Sequence, residues 1–361
     1  AGEADTRRCL ESVLACRQQA MFELVVVDDA SPEPTLSEWL RELADAGRIS
    51  LLRNPYNLGF VRTVNRALAL HPGRDVVLLN SDTEVSGNWL DRILRCADSH
   101  PDAATITPFS NNATICSYPY EGWLGEVPGR LGLAALDEVF SRRLSGVAMD
   151  LPSGVGFCMF VRRACLDAVG LLDDVAFPRG YGEENDLCRR AAKAGWRNLL
   201  CADVFVYHRG GVSFAHERGT LMKQGGDRLN ALHPEYAEVV RRFIVDDPLR
   251  PLRDAIDAAR AALGADEAAE VSRERERRPP LPAREVLWQD TAPHVGMDIV
   301  NVPAVNSVAA RPLPDEVWLH VAHSWGGGVM RWVHDLAGAD AGEARHLLLR
   351  SRSWRNHAGV R

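Results

Sequence analysis

The stretch from Glu23 to Phe60, ELVVVDDASPEPTLSEWLRELADAGRISLLRNPYNLGF, decides the fold class. The apolar run Glu23–Val27 reads as a strand that ends in Asp28-Asp29-Ala30-Ser31-Pro32. Thr35 and Glu38 have the spacing of a capping box for the helix LSEWLRELADAG, which Gly47 stops. A second strand, Ile49–Arg53, leads through Asn54-Pro55-Tyr56-Asn57-Leu58-Gly59 into the helix FVRTVNRALAL. Strand, helix, strand and helix in short succession predict a βαβ arrangement with parallel strands. The pattern continues outward over residues 6–245. It includes the strand Asp75–Leu79 ending in Asn80-Ser81-Asp82-Thr83, the apolar run Pro152–Val161, and a helix near Arg162–Val169. The helix LCRRAAKAGW and the strand Ala202–His208 complete an α/β domain with a largely parallel sheet.

The composition agrees. With 361 residues, 46% of them hydrophobic and 25% charged, the chain has material for a sizeable core, which excludes general disorder. Its 42 basic and 49 acidic residues are interspersed and the net charge is −7, so no nucleic-acid footprint stands out. Lys193 and Lys223 are the only lysines, and this Arg bias, with frequent Ala, points to a GC-rich bacterial source. The eight cysteines lack CxxC spacing and mostly sit in apolar runs, which predicts reduced buried thiols in a cytoplasmic protein, not a zinc site or a disulfide framework. No run approaches the roughly 18 apolar residues of a membrane span, and the start AGEADTRRCLESVL is unlike a signal peptide. The chain begins without Met in a helix-like segment and stops soon after HLLLR, which predicts a fragment at both ends. Residues 246–314 are Ala- and charge-rich and then Pro-rich, as expected of an exposed helix and linker. A new strand, loop and helix start at residue 315, with Gly326-Gly327-Gly328 in the loop.

Polar residues at the carboxyl ends of parallel strands are where open α/β sheets bind ligands. Asp28 and Asp29 could accept hydrogen bonds from a ribose or base, or cap the following turn. Asn80-Ser81-Asp82 offers oxygen ligands for a hard cation, or an Asx turn. Glu183, Glu184 and Asp186 place three carboxylates within four positions, a repulsion that a metal, an arginine, a helix N-terminus or chemistry must justify. His208 suits Mn²⁺, with Gly210-Gly211 allowing close backbone approach, or serves the structure alone.

Taken in order, VVVDDAS, NLGFVRTVNRAL, VVLLNSDTEV, SGVGFCMFVRRACLDAVGLLDD, GYGEENDLCRRAAKAGW and VFVYHRGGVSF resemble the inverting family 2 glycosyltransferases, which include rhamnosyl- and galactofuranosyltransferases. The likeness spans about residues 6–220. It implies a GT-A fold, the Rossmann-like mixed and mostly parallel sheet of nucleotide-diphospho-sugar transferases, here without its first strand. It implies that Asp28 and Asp29, with Asn57, Gly59, Asn80 and Ser81, hold a sugar nucleotide. Asp82 is similar to the last acid of the family's DxD-type metal motif, and His208 to the histidine that completes the site, for Mn²⁺ or Mg²⁺. Gly154, Gly156 and Phe157 would lie on the acceptor side. Glu184 falls on the position of the catalytic base, with Asp186 the next choice and Glu183 beside them.

Two positions depart from the family pattern: Asn80 replaces the first Asp of the metal motif, and Glu184 replaces the commoner Asp. The resemblance implies transfer of a sugar from a nucleotide-diphosphate sugar to a glycan or lipid-linked acceptor in bacterial cell-wall polysaccharide biosynthesis, with a hexose or rhamnose as the sugar. It implies a cytoplasmic enzyme, peripheral to the inner face of the plasma membrane where the acceptor is lipid-linked. A nucleotidyltransferase on a similar sheet and a non-catalytic glycan-binding module are the competing readings. The segment HVAHSWGGGVMRWVHDLA resembles the opening of a family 4 glycosyltransferase with a GT-B fold, so the expected organisation is residues 1–245, 246–314 and 315–361.

Overall fold

The computed structural model describes residues 2–178, 180–210 and 218–278 and, further on, residues 317–322 and 345–350. In the deciding stretch, β1 (Val25–Asp28) and β2 (Ser50–Arg53) pair in parallel, with Asp28 opposite Arg53. Helix α1 (Glu3–Ala15) precedes them, α2 (Pro34–Asp45) connects them, and α3 (Phe60–Leu68) follows. Leu10, Leu36, Leu40 and Ile49 bury the shared apolar face of this unit. Gly47, at φ +66°, stops α2: its N–H and that of Arg48 reach the carbonyls of Ala44 and Leu43. The expected capping box does not form. Pro34, with its φ already suited to a first helical position, starts the helix two residues earlier, and the Thr35 hydroxyl donates to Glu3.

The main sheet has six strands: β3 (Val76–Leu79), β4 (Thr83–Glu84), β5 (Ala103–Ser110), β6 (Ala148–Leu151), β7 (Cys158–Val161) and β8 (Arg197–His208). Their order is β3-β7-β5-β8-β4, with β6 also on β8. Helices α4 (Trp89–Ser99), α5 (Leu133–Arg143), α6 (Arg163–Val169) and α7 (Glu183–Lys193) connect them. The sheet is mixed, as the resemblance implies, with fewer parallel pairs in this part than expected. Only β5/β8 is parallel, whereas β3/β7, β5/β7, β4/β8 and β6/β8 are antiparallel. The reason is visible at β7, which enters from a loop and not from a crossover helix. The Asn80 N–H donates to the Phe157 carbonyl, so β7 begins where β3 ends and runs against it.

All eight residues of β5 are buried, and Ile106, Phe109, Phe140, Phe160 and Phe205 form the centre of the core. The eight cysteines are unpaired thiols, and six of them are buried. Helices α8 (Arg218–Leu232) and α9 (Tyr236–Asp246) follow β8.

The expected boundary at 245 is also corrected, since α10 (Arg250–Ala261) and α11 (Ala265–Arg277) belong to the same compact unit, which runs to Arg278. Leu249, Arg253, Ile256, Asp257 and Arg260 are buried, and the Tyr118 hydroxyl donates to Asp257 at 2.7 Å while accepting from Arg260 at 2.8 Å. Arg260 also pairs with Glu267 and Glu274. These helices therefore close the domain and are not an exposed linker. The rest of the expected linker lies outside the described residues. In the second unit, β9 (Val317–Ala322) and β10 (Arg345–Arg350) are parallel neighbours, and Gly326-Gly327-Gly328 lies outside the described residues.

Candidate active site

At the end of β1 both carboxylates are engaged within the chain. Asp28 is 4% exposed and accepts from the Ser31 N–H at 2.8 Å and the Ser37 hydroxyl at 3.2 Å, with Arg53 at 3.3 Å. Asp29 accepts from the N–H groups of Leu58 and Gly59 at 2.8 and 3.0 Å and from the Asn54 amide at 2.7 Å. It thus pins the turn before α3 to the end of β1. Asn57 donates to the Asp29 carbonyl at 3.3 Å, and Gly59 turns at φ +83° with the Pro178 carbonyl close by.

The two-residue strand β4 carries the next part. Its antiparallel pairing sets Thr83 opposite His208, which brings Asp82 beside His208. The carbonyl of Asn80 accepts from the N–H and hydroxyl of Thr83, closing a tight turn that leaves Ser81 exposed. The His208 Nδ1 lies 2.7 Å from the Asn112 carbonyl, which can only accept, so in the neutral ring Nδ1 carries the proton. The lone pair on Nε2 then faces Asp82 Oδ1 at 3.5 Å. Two acceptors facing each other are satisfied by a shared cation or by a proton on Nε2. Burial pushes the Asp82 carboxyl up, but the hydrogen bond and charge of His208 more than offset it and hold it below the usual carboxylate range. Phe157 stacks on the imidazole, with ring centroids 5.2 Å apart.

The acidic cluster occupies the first turn of α7, which starts at Glu183, four residues ahead of the expected helix LCRRAAKAGW. Its N-terminus is shaped by Gly182, whose φ of +138° and closeness to Phe177 leave no room for a side chain. The structure divides the three acids. Asp186 is spent: it pairs with Arg190 at 2.8 Å and accepts from His233 Nε2 at 2.8 Å, whose Nδ1 meets Lys193. A carboxylate held by two partners and 3% exposed is a poor base, so Asp186 is corrected to a structural role. Burial and the neighbouring charge of Glu184 push Glu183 up to about 8, with its Oε2 accepting from the Gly182 N–H. Burial raises Glu184 too, and its hydrogen bond with Glu183 works against that rise. Both carboxyls are thus held above the ordinary glutamate range, and the two titrate as one coupled pair.

The loop Gly154–Phe157 joins these parts. The Gly154 N–H reaches Cys188 on α7, and a Cβ at Gly154 would lie 2.8 Å from Met159 Sδ. Gly156 faces Glu184, whose Cγ would stand 3.7 Å from a Cβ there. One residue on, Phe157 holds Asn80 by its carbonyl and His208 by its ring. Asn185 accepts from Ser153 and Tyr236, tying α7 to the same loop. A basic carboxylate and an Asp-His pair thus flank one glycine loop, an arrangement able to deprotonate a hydroxyl on one side and hold a cation on the other.

The family model described as "Glycosyltransferase like family 2" matches residues 3–224. The chain belongs to that family. Among curated relatives, an uncharacterized protein, y4gI, of Sinorhizobium fredii (strain NBRC 101917 / NGR234) is 27% identical over 217 residues, 58% of this chain and 24% of that protein. An uncharacterized glycosyltransferase of Haemophilus influenzae (strain ATCC 51907 / DSM 11121 / KW20 / Rd) is 32% identical over 74 residues, 20% of this chain and 23% of that protein. The chain spans about a quarter of the length of these relatives. The crystal structure of GalNAc-T7 with UDP, GalNAc and Mn²⁺ is 16% identical, with a TM-score of 0.50 over 78% of this chain and 56% of that one. The shared fold is that of the GT-A glycosyltransferases.

This glycosyltransferase fold gives the Asp-His pair a second test, its donor chemistry. Carboxylate oxygen and imidazole nitrogen suit Mn²⁺, and the ring is already oriented from behind by a carbonyl. Among the described residues no three His, Cys, Asp or Glu side chains converge as a metal cage. A two-ligand site leaves positions for diphosphate oxygens and water. The residues fit such an ion. Sequence reasoning missed Asn111 and Asn112, which hold His208 from β5. Their signal was the polar run Ser110-Asn111-Asn112 after the apolar stretch AATITPF, the same cue that singled out Asn80.

Proposed function

We propose that this glycosyltransferase moves a sugar from a nucleoside-diphosphate sugar to a hydroxyl of a glycan or lipid-linked acceptor in one inverting, metal-dependent displacement. The observation that carries the reading is the loop Gly154–Phe157, with Glu184 against one end and the Asp82–His208 pair against the other. Glu184 takes the proton from the acceptor hydroxyl. As the bond from that oxygen to the anomeric carbon forms, the bond to the diphosphate breaks on the opposite face, and the electron pair leaves with the nucleoside diphosphate. Asp82 and His208 would hold the divalent ion, Mn²⁺ or Mg²⁺, which when bound neutralises charge growing on the leaving diphosphate.

Asp29 and Asp28 set the shape of the nucleotide side by fixing the turns that carry Asn57, Gly59 and Ser31. In this reading the enzyme works in the cytoplasm on bacterial cell-surface polysaccharide, peripheral to the inner membrane face. Among the described residues no helix is long and apolar enough to cross a membrane. In the same reading the C-terminal segment, by its likeness to the opening of a family 4 glycosyltransferase, belongs to a GT-B domain, and no separate activity is assigned to it.

A panel of UDP-, GDP- and dTDP-sugars, dTDP-rhamnose included, incubated with Mn²⁺ or Mg²⁺ tests the proposal. Turnover of one donor, lost in EDTA and in Asp82→Ala, is expected. Neither turnover nor nucleotide binding with any donor would overturn it in favour of a glycan-binding module.

A further inference from the structure

We infer that Asn111 and Asn112 form a clamp that sets His208 in its cation-binding pose, with Asn111 the positioning residue on which the site depends. The inference rests on His208 being a metal ligand, as proposed above. Asn111 is 1% exposed and engages the strand end with both ends of its amide. Its Oδ1 accepts from the His208 N–H at 2.8 Å, and its Nδ2 donates to the His208 carbonyl at 3.1 Å. One side chain therefore holds both backbone groups of the same residue, taking the place of a ladder partner on the β5 side, where the β5/β8 register ends at Val206. The same Nδ2 donates to the Gly125 carbonyl at 2.6 Å, fixing the amide from its far side.

Asn112 completes the clamp with its main chain, since its carbonyl takes the Nδ1 proton of His208 at 2.7 Å. That bond settles the tautomer and leaves the Nε2 lone pair for Asp82's side. The Asn112 side chain reaches the Arg209 carbonyl at 3.3 Å. Gly210 makes room for it, because a Cβ there would come within 1.8 Å of the Asn112 amide. Ring, backbone and following residue of the ligand are thus all held by two consecutive asparagines at the end of β5. The main chain does the work at Asn112 and the side chain does it at Asn111, so the two positions should respond differently to substitution.

The test is a titration of the full chain with Mn²⁺ alone, and again with UDP or GDP, followed by electron paramagnetic resonance of free Mn²⁺. Thermal unfolding of each variant serves as the folding control. Asn111→Ala should weaken Mn²⁺ binding by about 10- to 100-fold, the range for groups behind a metal ligand. Asn111→Asp keeps the acceptor for the His208 N–H and loses both donors, so it should fall between wild type and Asn111→Ala. Asn112→Ala keeps the carbonyl and should stay within about twofold of wild type, a split that general destabilisation would not produce. Folded Asn111→Ala and Asn111→Asp proteins with wild-type Mn²⁺ affinity would overturn the inference, and so would Asn112→Ala as damaging as Asn111→Ala. If His208→Ala and Asp82→Ala bind Mn²⁺ as wild type does, the metal reading itself fails, which is a different result from failure of the clamp.

Discussion

Glu183 and Glu184 are adjacent in sequence, and in the proposed mechanism only Glu184 acts as the base. With its carboxyl pushed up to about 8 by burial and by its neighbour, Glu183 binds a proton in the folded state that the unfolded chain, at about 4.5, has released. Its contribution is therefore fully present below pH 4.5 and is lost as the pH rises toward 8. Glu183→Gln should raise stability at pH 7–8 relative to wild type and flatten that decline, as urea unfolding across pH 4–9 would read. Glu184 must be ionised to act as a base, and its raised carboxyl places the rise of kcat/KM with pH above the ordinary glutamate range. A pH–rate profile that is flat from 4 to 8 would contradict this. Asp186, held by Arg190 and His233, should behave as a structural group. Asp186→Ala should destabilise by about 3–5 kcal/mol, the cost of leaving a buried partner uncompensated, as chemical denaturation would show. That three acids within four positions needed a reason was legible in the sequence. Which acid was held was not, because one of the two partners of Asp186, His233, lies 47 residues away in the turn after α8.

At the scale of elements, α10 and α11 show why a charge-rich helix misleads. DDPLRPLRDAIDAARAALGADEAAEVSRERERR has the composition of a solvated face, yet Arg253 and Arg260 are 1% and 0% exposed. Arg253 donates to the carbonyls of Ile115 and Ser117, and Arg260 joins Tyr118, Glu267 and Glu274. These partners lie up to 142 positions away, beyond any local pattern. The helices therefore hold the segment after Asn111-Asn112 against the core. Arg260→Met leaves two glutamates buried without their cation and should cost about 3–5 kcal/mol in urea unfolding. The alternating strands and helices were legible because apolar runs and Gly or Pro stops are local. The direction of β7 was not, since pairing between distant strands is decided by where a loop delivers the chain.

For the whole molecule, the sheet gathers three sequence-distant parts at one loop: the β3–β4 turn with Asp82, the β8 end with His208, and the first turn of α7 with Glu184. In the proposed mechanism these parts divide the labour, the carboxylate of Glu184 moving the proton and the Asp82–His208 pair serving the cation. Removing the cation with EDTA should abolish turnover while leaving the fold intact, as thermal unfolding of the treated protein would show. The most direct measurement is donor turnover by Glu184→Gln beside wild type, with Mn²⁺ and nucleotide binding followed in the same samples. The predicted result is a kcat lower by about 10²- to 10⁴-fold with both binding affinities unchanged. A Glu184→Gln enzyme that turns over at the wild-type rate would contradict the account.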